Sequence, residues 1–104
     1  MKILLDIDDT AIITNDRGKS WFKHPKLESL ISEHKVVLYS GNPDIGKYAQ
    51  EWKTAGYIAK GTELIPEADV LIDNDPELWK ETVDTKMVFN SIDSFYKYYE
   101  KNKK

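Results

Sequence analysis

A chain of 104 residues with 40% hydrophobic side chains can bury one core without metal or disulfide staples and predicts a single domain over 1–104, with no room for a second. No cysteine occurs, which excludes a disulfide framework and a thiolate zinc site and fits a reducing compartment, the cytoplasm by default. Fifteen basic against eighteen acidic residues, a net charge of −3, exclude a global basic field that would steer the chain to nucleic acid, so binding there would need a local patch.

From Met1 and Lys2 the chain runs into Ile3–Leu5, too short an apolar run for a signal peptide or a membrane span, so a soluble protein without a membrane partner is expected. Further apolar runs follow at Val36–Tyr39, Tyr57–Ala59, Val70–Ile72 and Met87–Phe89. Uninterrupted runs of this length suit parallel strands buried on both faces. After the first run, Ala11–Thr14 and Ser20–Lys23 flank Asn15-Asp16-Arg17-Gly18-Lys19, which predicts a flap hairpin over about 11–23.

Helical spacing begins with Leu27, Leu30 and Ile31 after Pro25. The next helix has Asn42 in capping position, a stripe of Ile45, Tyr48, Ala49, Trp52 and Ala55, and an end at Gly56. A C-terminal helix over about 92–101 takes Ser91 as N-cap and buries Ile92, Phe95, Tyr96 and Tyr99. Strands alternating with helices predict an α/β fold, a three-layer Rossmann-like sandwich with a mainly parallel, roughly five-stranded sheet and a small flap.

In open α/β sheets ligands gather beyond the carboxyl ends of the strands. The residues there form a coherent set: Asp6-Ile7-Asp8-Asp9-Thr10, then Ser40-Gly41-Asn42, then Lys60, then Asp73-Asn74-Asp75. Phosphoryl transfer through an aspartyl-phosphate needs a carboxylate nucleophile, a proton donor, a divalent cation and cationic stabilisation of the transferring group. Asp6 is the candidate nucleophile and Asp8 the general acid/base. Mg²⁺ prefers hard oxygen ligands, for which Asp6, the Asp8 backbone carbonyl and the Asn74 side-chain oxygen are the candidates. Ser40, Gly41 and Lys60 would hold the phosphate oxygens, Asp73 would orient Lys60, and Asp75 would touch metal-bound water or cap the helix that contains Pro76, either aspartate being an alternative metal ligand.

These residues resemble the motifs of the haloacid-dehalogenase (HAD) superfamily. Its first motif, an apolar strand followed by DxDx[TV], reads here Ile3-Leu4-Leu5-Asp6-Ile7-Asp8-Asp9-Thr10, and Val36-Val37-Leu38-Tyr39-Ser40 is similar to its second. Lys60 is the best match to the third. The fourth, which usually ends in paired acidic residues, reads Leu71-Ile72-Asp73-Asn74-Asp75-Pro76 and is similar to the Asp-Asn-x-Pro of the small phosphatases acting on the carboxy-terminal domain of RNA polymerase, a resemblance that implies Asn74 binds metal. The resemblance spans Ile3 to Phe89 and implies a capless, magnesium-dependent phosphomonoester hydrolase.

Simpler roles compete at several positions. Asn42 is favoured as a helix cap over a substrate contact, and Ser40 could cap a turn. Thr10 and Arg17 are considered for substrate contact, Arg17 equally as a solvated turn charge. Trp21 and Phe22 are favoured as anchors of the flap, and His24 and His34 as structural residues. An open site under a flap favours a phosphorylated substrate whose bulk lies outside, a nucleic-acid end, a nucleotide or a phosphoprotein. The rival class is a regulatory module that binds Mg²⁺ and phosphate, or accepts a phosphoryl group, without turnover.

Overall fold

The computed structural model describes residues 1–15, 20–62 and 65–102. Five strands, β1 (Lys2–Leu5), β4 (Lys35–Ser40), β5 (Gly56–Ala59), β6 (Glu67–Ile72) and β7 (Asp84–Phe89), form one all-parallel sheet in the order β5-β4-β1-β6-β7. Each contains one of the apolar runs read from the sequence. The chain builds outward from β1 to β4 and β5, then returns to place β6 and β7 on the other side, so the winding direction reverses at β1. At such a reversal the loops beyond the strand ends part and leave a crevice.

Side chains alternate across the pleat, which divides the apolar residues into two clusters. Ile3 and Leu5, Val36 and Leu38, and Val70 and Ile72 face three helices, α1 (Leu27–Glu33), α2 (Ile45–Trp52) and α4 (Ile92–Asn102), which contribute Leu27, Leu30, Ile45, Ala49, Ile92 and Phe95. Leu4, Val37, Tyr39 and Leu71 point the opposite way. Among the described residues that face is covered by Trp79 of the short helix α3 (Pro76–Trp79) and by Val83, which follows a 3₁₀ turn at Lys80–Thr82. The central strands β1, β4 and β6, dry on both faces over these stretches, read as continuous apolar runs for that reason, whereas the edge strand β5 exposes Tyr57.

Helix α4 begins as its sequence predicts, with the Ser91 hydroxyl accepting from the Ser94 N–H at 3.0 Å. Helix α2 departs from the expected end at Gly56. It stops at Trp52, with Lys53 in the left-handed conformation (φ 58°), and Gly56 instead opens β5. Gly46 has a packing role: a Cβ there would lie 3.1 Å from the Tyr57 hydroxyl, so its bare backbone lets the edge strand β5 close on α2.

The flap is an antiparallel pair, β2 (Ile12–Asn15) with β3 (Ser20–Lys23), registering Ile13 with Phe22 and Thr14 with Trp21. Its base is a tight knot: the Ile7 carbonyl accepts from the N–H groups of Ala11 and Ile12 at 3.0 Å each, Asp8 bridges to Ile12, and Asp9 takes a positive φ of 59°. The expected anchoring of the flap aromatics is partial. Trp21 meets Tyr48 of α2 edge-on at 6.4 Å, yet Trp21 and Phe22 are 53% and 46% exposed. No helix among the described residues is long and apolar enough to cross a membrane.

Candidate active site

Three residues of the site occupy the first position beyond a strand and are still held by the ladder. The Asp6 N–H donates to the Ile72 carbonyl at 2.9 Å, the Lys60 N–H to Ser40 at 3.0 Å and the Asp73 N–H to Phe89 at 3.0 Å. Their backbones therefore have the fixity of the sheet while their side chains project past its edge. Pleat alternation puts Asp6, Lys60 and Asp73 in phase with Leu4, Ile58 and Leu71, on the helix-poor side. That places the Lys60 ammonium between the two carboxylates, 2.5 Å from Asp73 Oδ2 and 3.4 Å from Asp6 Oδ1. Gly61 turns the chain away directly afterwards at φ +86°, a conformation that favours glycine.

Asp6 is 5% exposed. Burial, reinforced by the neighbouring Asp73 charge, pushes its carboxyl up to about 6 against the opposing pull of Lys60 and the Ile7 N–H. The single ammonium does not fully offset two buried carboxylates. The second Asp6 oxygen meets the Thr10 hydroxyl at 3.4 Å, and that hydroxyl accepts from the Asn74 N–H at 3.0 Å. Thr10, considered from sequence for substrate contact, is 2% exposed and acts as a strut between the loops after β1 and β6.

Asp8 is exposed and faces Asn42, whose amide donates to both its carboxylate oxygens at 3.2 Å. The Asn42 side-chain oxygen accepts from the Asp44 N–H at 2.8 Å, but the N-cap of α2 is Asp44, so Asn42 forms the turn before the helix instead of capping it, and its amide reaches Asp8. Ser40 is buried, its oxygen accepting from the Asn42 N–H at 3.1 Å. Asp6, Asp8, Ser40, Gly41, Asn42 and Lys60 line one open cleft of about 620 Å³, together with Pro43, Gly61 and Trp79, which sequence reasoning passed over. The signal for Trp79 was its place one helical turn after Pro76, directly downstream of the acidic motif.

Asp73 supports Lys60 as expected, its other oxygen accepting from the Asp75 N–H at 2.8 Å. Asn74 and Asp75 are exposed beside it. Arg17, like the rest of 16–19, lies outside the described residues. Among the described residues no three His, Cys, Asp or Glu side chains converge as a metal cage. A site of one carboxylate, one carbonyl and one amide oxygen completed by water has a different donor set, and a hard cation would offset both the burial and the Asp73 charge that lift Asp6. Asp6, the Asp8 carbonyl and Asn74 are chemically suited to it.

Comparison of the chain with family models, with curated proteins and with solved structures gives no match.

Proposed function

We propose that this chain is a HAD-like phosphohydrolase, a capless three-layer sandwich with a thin third layer at α3, that cleaves a phosphomonoester through an aspartyl-phosphate on Asp6. The observation that carries the reading is the gathering of Asp6, Asp8, Ser40 and Lys60 in one cleft, with the Lys60 ammonium bridging Asp6 and Asp73. Magnesium held by Asp6, the Asp8 carbonyl and Asn74 would neutralise the phosphate so that a carboxylate can approach it. The Asp6 carboxylate attacks phosphorus as the bond to the leaving oxygen breaks, and Asp8 gives that oxygen its proton. Asp8 then takes a proton from water as the water oxygen attacks phosphorus. The bond to Asp6 breaks, inorganic phosphate leaves, and both carboxyl groups return to their starting states.

Lys60, the Ser40 hydroxyl and the Gly41 backbone, which line the same cleft as Asp6, would hold the non-bridging oxygens. The openness of the cleft suits a substrate whose bulk stays outside, such as a nucleic-acid end, a nucleotide or a phosphoprotein. The cytoplasm is the compartment that a cysteine-free chain suits. The test is magnesium-dependent hydrolysis of a chromogenic aryl phosphate by the wild type and by Asp6→Asn. Turnover that disappears in the variant supports the enzyme. Binding of magnesium and phosphate by the wild type without turnover would favour the regulatory module.

A further inference from the structure

The Lys60 ammonium meets two aromatic faces besides its two carboxylates. The Trp79 ring centre lies 4.4 Å from Nζ and that of Tyr39 5.7 Å, and the lysine side chain is only 8% exposed. The Tyr39 ring is joined to the Trp79 backbone. Thr82 Oγ1 donates to the Trp79 carbonyl at 2.7 Å, which uses its one proton, so the Tyr39 hydroxyl is the donor in its 2.8 Å bond to Thr82 Oγ1. The Trp79 backbone is thereby tied to the sheet, while its side chain packs against the cluster of Leu4, Tyr39 and Leu71 and lines the cleft.

Asp6 and the indole differ in what the reaction does to them, while Asp73 keeps its charge throughout. Once Asp6 becomes an acyl phosphate it no longer offers Lys60 a carboxylate charge, and the flexible lysine stem is drawn toward Asp73, whose Oδ2 lies 2.5 Å away. The indole face is neutral, takes no part in proton or phosphoryl transfer, and attracts the cation equally before and after the first step. We propose that Trp79 is a positioning residue for Lys60, acting beside Asp73 and keeping the ammonium within reach of the Asp6 side chain through both half-reactions. This rests on the hydrolase reading.

The experiment compares Trp79→Leu, which keeps apolar bulk, with Trp79→Phe, which keeps a ring face. Trp79→Leu should lower kcat/KM about tenfold and by the same factor on an aryl and an alkyl phosphate, with Trp79→Phe recovering most of the loss. A loss confined to the aryl substrate would make Trp79 a leaving-group contact and overturn the proposal, as would unchanged turnover in a folded leucine variant. A second readout needs no turnover: the ¹⁵Nζ resonance of the Lys60 ammonium, assigned by its absence in Lys60→Arg, should be sharp in wild type and Trp79→Phe and broadened in Trp79→Leu. If the wild type hydrolyses no phosphomonoester, the hydrolase reading falls while that pattern still upholds the positioning role. A resonance equally sharp in all three overturns it regardless of turnover. Trp79→Met replaces the leucine variant if the latter does not fold.

Discussion

The Asn42 amide reaches across 34 residues of chain to both oxygens of the Asp8 carboxylate, tying the start of α2 to the loop after β1. Removing it in Asn42→Ala frees an exposed Asp8 to rotate, so kcat should fall about tenfold with KM little changed. Because the contact is exposed, the melting temperature should reflect no more than about 1 kcal/mol. An unchanged kcat would show that Asp8 is aimed by the backbone of its own turn.

Asp6→Asn should abolish turnover and yet stabilise the metal-free protein at neutral pH. The sign follows from a folded-state value near 6 against an ordinary 3.8: the folded protein holds this proton more tightly than the unfolded chain. Wild-type stability therefore falls as pH rises from 3.8 to 6 and stays reduced above that, by about 3 kcal/mol with the pull of Lys60 already included. In chelator, the melting temperature of the variant should exceed that of wild type at pH 7.5 and converge with it near pH 4. A constant difference across that range would count against the shift.

Lys60→Met leaves Asp6 and Asp73 facing one another without their cation and should cost roughly 3 kcal/mol of stability. Adding Asp73→Asn removes half of the uncompensated charge and should restore much of that stability. Activity should remain lost in both, because neither protein offers the phosphate an ammonium. Recovery of turnover in the double variant would assign Lys60 a purely structural part.

A different pH response comes from His34, which is 9% exposed, edge-on to Phe95 and Tyr99 at 5.5 and 5.1 Å, with no hydrogen-bond partner among the described residues for either ring nitrogen. Burial, aided by the Met1 amino group, lowers its pKa below the ordinary 6.5, so the folded state favours the neutral ring. Its contribution is complete above 6.5 and is lost as pH falls through the lower folded value. Acidification from pH 7 to 5 should lower the melting temperature of wild type more than that of His34→Leu, and parallel curves would remove His34 from the acid response.

Asn74→Ala should raise the magnesium concentration at half-maximal activity several-fold by removing one oxygen ligand while leaving Asp6 in place. An unaltered dependence would move the ligand to Asp73 or Asp75.

The central strands were legible because burial on both faces writes itself as unbroken apolar runs, and the strand-end rule then pointed to Asp6, Ser40, Lys60 and Asp73. Two matters were not. The end of α2 was misread because Lys53 adopts the left-handed turn usually given to glycine, while Gly56 pairs with Val37 in the sheet. The relation of Trp79 to Lys60 depends on the return of the chain from β6 across the helix-poor face, and nothing within a local window encodes it.

The knot at the flap base distributes the two aspartates between different mechanical bodies. Asp6 is fastened to β6 through the Ile72 carbonyl, whereas Asp8, two residues on, bridges to Ile12 in the first strand of the hairpin. On the hydrolase reading the attacking group therefore has the rigidity of the sheet, while the proton donor is held by a turn and by the Asn42 amide across the cleft.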